Sequence, residues 1–173
     1  MTLQPFDRVV AEHGAVVLRV CRAVVGPYDA DDAWSETFIS ALRAYPDLRP
    51  DSDVRAWLVT IAHRKAIDVI RRAGRNAEPA GDLPDVPAPS SDVAENSDVA
   101  ACGDSAALRA LAELPTKQRA AVAYHHIAGL SYAEVGSLIG STEAAARRSG
   151  ADGIANLRRR LTTVGPTTTK GTS

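Results

Sequence analysis

Residues Leu114–Leu161 decide the fold of this chain, and they read LPTKQRAAVAYHHIAGLSYAEVGSLIGSTEAAARRSGADGIANLRRRL. Thr116 is expected to cap a helix, because no helix breaker intervenes before Gly129. Ser131-Tyr132-Ala133-Glu134 has the S-x-x-E form of a capping box, in which the serine and glutamate side chains satisfy free amide groups reciprocally. The stretch therefore predicts a second helix that begins at this box.

A short helix, a glycine turn and a longer basic helix follow one another here, which is the pattern of a helix-turn-helix. The short helix is expected to end at Ile139, and Gly140 provides the turn. Ser141 or Thr142 then caps the longer helix. In this motif the second helix lies in the DNA major groove, where arginine can bond guanine edges and phosphates in pairs. The arginines of the longer helix are Arg147, Arg148, Arg158, Arg159 and Arg160.

The distribution of charge supports DNA binding, although the chain of 173 residues has a net charge of only −1. Residues 115–161 carry seven basic and three acidic side chains, whereas residues 74–104 carry one basic and seven acidic side chains. The distribution of charge matters more than its sum for electrostatic steering. Spacing alone leaves one alternative open, which is a helical hairpin of an ordinary bundle with its arginines in solvent.

Three further helices are predicted upstream, because apolar residues return there at intervals of three and four. They are Phe6–Val25, Asp31–Tyr45 and Val54 to about Arg72, the last with a cap at Ser52 or Asp53. The buried face of the second helix is expected to comprise Trp34, Phe38, Ala41, Leu42 and Tyr45.

Residues 74–104 separate two predicted helical domains. This segment is rich in proline and acidic residues and has no aromatic residue, so it cannot bury enough apolar surface to offset its ordering entropy. Ser105 is then expected to cap a short helix that packs onto the helix-turn-helix. The predicted fold is all-α, with an N-terminal domain of residues 1–73, a flexible acidic and proline-rich linker of 74–104, a C-terminal helix-turn-helix domain of 105–161 and a disordered tail of 162–173.

Other classes of protein find little support in the sequence. Cys21 and Cys102 have neither metal-ligand spacing nor the number needed for a disulfide framework. No stretch resembles a signal peptide or a membrane span, so a cytoplasmic protein without membrane insertion is expected. His125-His126 is the only hint of a metal-dependent hydrolase, but adjacent helical side chains point about 100° apart and no H-E-x-x-H motif accompanies them. No catalytic residue, metal, cofactor or small-molecule substrate is therefore predicted.

Three stretches resemble the bacterial RNA polymerase sigma factors of the extracytoplasmic-function (ECF) group. Residues 28–38, YDADDAWSETF, resemble that group's D-A-E-D-L-V-Q-E-T-F signature. Residues 56–72, AWLVTIAHRKAIDVIRR, are similar to its W-L-x-x-I-A-x-N-x-x-x-D-x-x-R-R, and residues 114–158 to its L-P-x-x-x-R … G-x-S-Y-x-E-I-A-x-x-L-G. The three stretches occur in the family's order, and the resemblance covers residues 6–73 and 105–161.

The resemblance implies a promoter-specificity subunit, not an enzyme, whose partners are core RNA polymerase (the β′ clamp coiled coil and the β flap), promoter DNA and an anti-sigma factor. The second helix would dock on the clamp through Asp31, Asp32, Trp34, Ser35, Glu36 and Phe38. The third helix and the loop before it would engage the minus-ten element and help to melt the duplex through Arg49, Asp51, His63, Arg64, Lys65, Arg71 and Arg72. The C-terminal domain would read the minus-thirty-five element through Ser131, Thr142, Glu143, Arg147 and Arg148.

The sequence also departs from the family pattern. The usual asparagine of the third helix is Arg64, the usual glutamine of the second is Ser35, and small residues occupy 144–146 where branched ones are usual. Gly150 and Gly153 lie within the last predicted helix, and each is expected to cost about 1 kcal/mol relative to alanine. A stand-alone DNA-binding regulator that uses only the C-terminal domain remains the alternative, and it predicts DNA binding without polymerase.

Overall fold

A computed structural model describes residues 3–76 and 102–163, with side chains described for residues 3–72 and 106–162. All regular structure within these residues is helical, so the predicted all-α fold of two helical domains is confirmed. The predicted linker, residues 74–104, and the predicted tail, residues 162–173, lie largely outside the described residues.

Three helices form the N-terminal domain, namely α1 (Phe6–Val25), α2 (Ala30–Ala44) and α3 (Val54–Asn76). The bounds of α1 agree with the prediction, whereas α3 continues past its expected end at Arg72. It can do so because the next proline in the sequence comes only after the helix has ended. Asp53 caps α3 as expected, since its Oδ1 accepts a hydrogen bond from the Ala56 amide at 3.0 Å.

Aromatic side chains join the ends of the N-terminal helices. The Phe6 ring of α1 lies 6.3 Å from the Phe38 ring and 5.2 Å from the Tyr45 ring, measured between centroids. The Trp34 indole donates a hydrogen bond to the Gly14 carbonyl at 2.9 Å, which ties α2 to the middle of α1. Edge-to-face ring pairs and a paired indole N–H are the usual arrangement of buried aromatic residues. These ring contacts and this hydrogen bond together fix the position of α2 against α1.

The C-terminal domain comprises α4 (Cys102–Ala112), α5 (Thr116–Val122), a π-helical segment (Ala123–Ile127), α6 (Tyr132–Leu138) and α7 (Glu143–Thr163). Two predicted caps are wrong. Ser105 lies inside α4, because that helix already begins at Cys102. Thr116 is the first residue of α5, and Pro115 holds the cap position, where the missing amide of proline costs nothing. The π-helical segment was not predicted.

The predicted helix-turn-helix is confirmed in its caps and its turn. The Ser131 amide donates to Glu134 Oε2 at 2.8 Å, and Ser131 Oγ accepts from the Glu134 amide at 3.3 Å, which completes the capping box. Gly140 makes the turn with a φ of +66°, a conformation that favours glycine. Thr142 Oγ1 then accepts from the Ala145 amide at 3.2 Å, so threonine rather than Ser141 caps α7.

The two glycines within α7 allow close packing. A Cβ atom at Gly150 would lie 2.9 Å from Cε1 of Tyr132, and one at Gly153 would lie 2.6 Å from Cγ2 of Val122. Both distances are shorter than carbon atoms tolerate. The loss in helix propensity at these positions is therefore offset by the contacts that α7 makes with α5 and α6.

The two helical domains share a hydrophobic core. One apolar face of α1 packs within the N-terminal domain through residues such as Val9 and Val17, both fully buried. A second face of α1, together with part of α3, packs against the C-terminal domain. We call this contact the interdomain seam, and its buried side chains are Val20, Ala23, Val24, Val59 and Ala66 on one side and Leu111, Leu114 and Tyr124 on the other.

Replacement of Gly153 by alanine tests the packing role of this glycine. The added methyl group would collide with Val122 and approach the Gln118 carbonyl oxygen at 3.2 Å, so overpacking by about 1–3 kcal/mol should exceed the gain of about 1 kcal/mol in helix propensity. Urea unfolding should therefore show a less stable protein. The control is Ala155→Gly at an exposed position of the same helix, which should also destabilise through propensity alone. A Gly153→Ala protein that is more stable than the wild type would contradict the packing role.

Candidate polymerase and DNA interfaces

The outer face of α2 carries four of the residues expected to dock on polymerase. Asp31, Asp32, Ser35 and Glu36 are exposed, and they follow one another along the side of α2 that points away from α1. The two aspartates lie in the first turn, where a negative charge complements the helix dipole. These side chains are accessible to a protein partner.

Trp34 and Phe38, the other two expected docking residues, belong to the interior. Phe38 is 6% exposed, and its ring lies 4.7 Å from that of Trp34, which is half-buried. The indole N–H of Trp34 is already engaged by Gly14. These two aromatic residues therefore support the outer face of α2 from beneath.

Two large apolar side chains extend the outer face of α2, and sequence reasoning missed both. Ile39 is 46% exposed and Leu42 is 56% exposed. The expectation that Leu42 is buried is wrong, because Leu42 lies about 100° around the helix from the fully buried Ala41. With the exposed Ser35, they recur at intervals of three and four, so the signal was present in the sequence. The outer face combines carboxylates with an apolar patch, as protein interfaces do.

The exposed face of α3 is basic. Arg64, Arg71 and Arg72 are exposed, as a surface that contacts DNA backbone requires. Lys65 Nζ lies 3.5 Å from Glu36 Oε2, so this lysine connects the basic face of α3 to the outer face of α2.

In the loop before α3, an exposed ion pair joins two of the residues expected at the minus-ten element. Arg49 Nη2 lies 2.9 Å from Asp51 Oδ2, and both side chains are largely exposed. The loop and the basic face of α3 thus lie on accessible surface, and most of the residues predicted for this element are free to approach a ligand.

His63 is the exception within this set, because it is engaged across the interdomain seam. Its Nδ1 lies 2.7 Å from the hydroxyl oxygen of Tyr124, whose side chain is fully buried. Burial raises the pKa of Tyr124. Burial also lowers the pKa of His63, and the positive charge of Arg64 lowers it further. A protonated tyrosine and a neutral imidazole therefore share this hydrogen bond, and the imidazole tautomer decides which of them donates. Sequence reasoning could not reveal this contact, because it joins residues of different domains.

The start of α7 presents the residues expected at the minus-thirty-five element. Glu143, Arg147 and Arg148 are exposed along a groove of about 510 Å³ that Ala144 and Ala151 complete. The small alanines leave the arginines as the groups that reach outward. Arg147 Nη2 donates to Glu143 Oε1 at 2.7 Å, one helical turn away.

Ser131 and Thr142, which were also predicted at this element, serve as helix caps. Both are exposed, but the Ser131 hydroxyl lies 2.7 Å from Glu134 Oε2 and the Thr142 hydroxyl accepts from a backbone amide. The structure thus gives both residues a role in holding the helix-turn-helix.

The adjacent histidines do not form a metal site. Within residues 3–76 and 102–163 no group of three or more histidine, cysteine, aspartate or glutamate side chains is arranged to hold a metal ion. His125 Nδ1 lies 2.7 Å from the Leu130 carbonyl oxygen, which closes the turn before α6. In the same described part of the chain, no helix is long and apolar enough to cross a membrane.

Comparison with known proteins places both domains in one family. The family described as Sigma-70 region 2 matches residues 9–76, and that described as Sigma-70, region 4 matches residues 105–151. The chain is 33% identical over 157 residues to the ECF RNA polymerase sigma factor SigM of Mycobacterium tuberculosis, covering 90% of this chain and 76% of SigM. It is 31% identical over 157 residues to the RNA polymerase sigma factor CarQ of Myxococcus xanthus, covering 90% of this chain and 88% of CarQ.

Two solved structures have the same architecture. CnrH in complex with the cytosolic domain of CnrY superposes with a TM-score of 0.60 at 25% identity, covering 92% of this chain and 88% of that chain. The sigma factor RpoE in complex with the anti-sigma factor NepR, from Bartonella quintana, superposes with a TM-score of 0.74 at 17% identity, covering 93% and 98%. The second likeness shows the fold alone.

The fold and the family matches together define a two-domain helix-turn-helix protein of transcription initiation. The chain belongs to the ECF family of RNA polymerase sigma factors.

The lowered pKa of His63 predicts a dependence of stability on pH. The fold disfavours the charged imidazole, so its cost is absent above the unfolded pKa of about 6.5 and grows as the pH falls below that value. The free energy of unfolding, measured in urea at pH 7.5 and pH 5.5, should therefore fall more in the wild type than in His63→Asn. Asparagine places an amide group near the position of Nδ1 and can share a hydrogen bond with Tyr124, but it does not titrate. Equal losses in both proteins would contradict a neutral His63 in the seam.

Proposed function

We propose that this sigma factor binds core RNA polymerase through the outer face of α2 and reads two promoter elements with α3 and α7. The observation that carries the proposal is the exposed stripe on α2, in which carboxylates and the apolar side chains of Ile39 and Leu42 lie side by side. Large apolar side chains left in water beside a charged rim mark a protein-binding surface. The protein acts by binding and has no chemistry of its own.

The α3 face supplies the minus-ten contacts in this proposal. Arg64, Arg71 and Arg72 would hold the phosphate backbone, while the loop around Arg49, which precedes α3, would receive bases that leave the duplex. Melting needs cations for the displaced strands and surfaces that accept unstacked bases. The exposed basic face of α3 meets the first of these needs.

The start of α7 supplies the minus-thirty-five contacts. Arg147 and Arg148 project from the first turns of the helix, where recognition helices contact base edges. An arginine can donate two parallel hydrogen bonds to a guanine, and Glu143 can accept from a cytosine amino group. A base-reading role for these three side chains is consistent with their exposure.

Reading both elements at once requires the domains to separate. Elements centred near minus ten and minus thirty-five lie roughly 25 base pairs apart, or about 85 Å of duplex at 3.4 Å per pair. The interdomain seam instead holds α1 and α3 in direct contact with the C-terminal domain. A fully extended chain of residues 77–101 spans at most about 80–90 Å, at 3.3–3.6 Å per residue. Promoter binding therefore breaks the seam and uses most of the reach of the connecting chain.

The groove beside the seam suits an inhibitory protein. Two adjoining cavities of about 330 and 460 Å³ share Ala56, Leu130 and Glu134, and they are lined by the start of α3 on one side and by the turn and α6 on the other. CnrH and RpoE were each solved with another protein bound, CnrY in one case and the anti-sigma factor NepR in the other. An anti-sigma factor seated in this groove would hold the two domains together and prevent their separation.

Co-purification with bacterial core RNA polymerase tests the proposal. Wild-type protein should bind core, and Asp32→Arg/Glu36→Arg should not. Ile39→Ala/Leu42→Ala should weaken binding at least tenfold, because each apolar side chain contributes about 1 kcal/mol or more when it is buried.

The matched control is Asp7→Arg/Glu12→Arg, which makes the same change of charge on the exposed side of α1 and should bind normally. If the wild-type protein ignores core polymerase yet retards duplex DNA, the protein is a stand-alone DNA-binding regulator and the proposal is wrong.

Spin labels on the two domains test their separation. Labels at Asp7→Cys and Ala155→Cys occupy exposed positions, and Cys102→Ser removes the second native cysteine. Cys21 should stay unlabelled, because burial raises the pKa of its thiol to about 12. The distance between the labels should lengthen by tens of ångströms when core polymerase and promoter DNA are added to the free protein.

An anti-sigma factor should preserve the distance of the free protein, and Ser137→Arg, at an exposed position of the groove, should abolish its effect. A distance that is the same with and without promoter would refute the separation.

A further inference from the structure

The ring of Tyr132 connects the turn of the helix-turn-helix to the DNA-reading face of α7. On one side it stacks on the His125 ring, with centroids 3.8 Å apart and planes inclined by 19°. The guanidinium carbon of Arg147 also lies over the Tyr132 ring, 5.6 Å from its centroid. This is the geometry of a cation–π interaction. Three side chains from three segments thus form one stack, which we call the Tyr132 stack.

The position of the ring is fixed at its base. Tyr132 is the first residue of α6, directly after Ser131, whose capping box sets where this helix begins. The imidazole beneath it is oriented by the hydrogen bond between His125 Nδ1 and the Leu130 carbonyl. A carbonyl oxygen only accepts, so the proton lies on Nδ1. Ser131, which precedes Tyr132 in the chain, and His125, which stacks on its ring, are therefore each hydrogen-bonded to a backbone group.

Gly150 provides the space that the ring occupies. Any Cβ at this position would lie 2.9 Å from both Cε1 and the hydroxyl oxygen of Tyr132. Glycine is a poor helix former, yet it occurs here in the buried part of α7. The ring explains the presence of glycine, because it packs so closely against the backbone of α7 that no side chain fits at residue 150.

Arg147 is held from two directions. The Tyr132 ring contacts its guanidinium from α6, and the Glu143 carboxylate accepts a hydrogen bond from Nη2 within α7. The arginine side chain nevertheless remains 65% exposed, so it keeps its donors available to a ligand. Arg148, its neighbour, takes part in no ion pair or ring contact within the described residues.

An arginine that is already ordered loses less side-chain entropy when it binds a base edge. Its planar fork must also match the two acceptors of guanine in one plane. A side chain restrained by a ring and a carboxylate meets both conditions better than an unrestrained one. The difference should appear as base discrimination rather than as general attraction to phosphate.

We propose that Tyr132 and Gly150 are positioning residues for Arg147, and that the Tyr132 stack sets the preference of α7 for a guanine in its promoter element. This inference rests on the proposed function, since it assigns the residues that orient one of its DNA contacts. Tyr132 acts through Arg147 and does not touch the DNA itself.

The first test needs no DNA. In ¹⁵N relaxation of the arginine Nε–Hε groups, Arg147 should be more ordered than Arg148 in the wild type and in Tyr132→Phe, which keeps the ring. Tyr132→Leu should lose this order, and so should Gly150→Ala, which keeps the tyrosine but displaces it. Arg148 serves as the internal control and should not change. An Arg147 that is as mobile as Arg148 in the wild type would overturn the positioning role.

The second test measures base recognition. Holoenzyme selects duplexes from a random library, and each selected guanine is replaced in turn by 7-deazaguanine, which lacks the N7 acceptor. For the wild type and Tyr132→Phe, this replacement should lower the affinity for the duplex about tenfold at one guanine position. Tyr132→Leu and Gly150→Ala should bind the unmodified duplex roughly two- to fivefold more weakly and discriminate less at that position.

Arg148→Ala should still discriminate between guanine and 7-deazaguanine at the base that Arg147 contacts. This control distinguishes a loss of Arg147 positioning from a general loss of positive charge. Folding of each variant is checked by circular dichroism, and Gly150→Ala carries the test if Tyr132→Leu unfolds. Equal discrimination by the wild type, Tyr132→Leu and Gly150→Ala would overturn the inference. If holoenzyme selects no sequence at all, the proposed function fails, while the relaxation measurement still decides whether Tyr132 orders Arg147.

Discussion

The two-faced packing of α1 is the interaction on which the rest of this structure depends. Val9 and Val17 hold α1 within the N-terminal domain, while Val20 and Val24 lie in the interdomain seam. A helix that is apolar around more than one stripe must be covered on both sides. α1 therefore determines where α2 presents its outer face and also whether the C-terminal domain stays beside it. Under the proposed function, Val20 and Val24 would therefore oppose the separation of the domains that promoter binding requires.

Under the proposed function, this conflict would give the fold a means of control. The seam buries aliphatic side chains and a polar contact between Tyr124 and His63. Separation of the domains would expose these groups to water, at a cost that contacts with polymerase and DNA would have to offset. A protein that spans the groove next to the seam would add to that cost. Binding to core, binding to a promoter and inhibition would then all act on one equilibrium between closed and separated domains.

The sequence predicted the features that depend on neighbours in the chain. The bounds of α1, the capping box at Ser131 and Glu134, the turn at Gly140 and the basic start of α7 follow from local patterns, and the family motifs add the order of the domains. The sequence could not predict contacts between distant residues, since nothing local marks His63 and Tyr124 as partners. Helix propensity alone disfavours Gly150 and Gly153, whereas the decisive factor is the side chain packed against each of them, Tyr132 and Val122 respectively. The helical period predicts Leu42 on the apolar stripe of α2, but Leu42 lies at the edge of that stripe and its side chain is exposed.

Directed cleavage of promoter DNA tests the central claim most directly, which is that α3 and α7 contact separate elements of one promoter. An iron chelate that generates hydroxyl radicals is attached to a single cysteine at Asp68→Cys on α3 or at Asp152→Cys on α7, both exposed, in a Cys102→Ser background. In holoenzyme on a selected promoter, the two proteins should cut at clusters centred about 25 base pairs, or roughly 85 Å of duplex, apart. Cuts at the same place from both positions, or cuts from α7 alone, would contradict the claim.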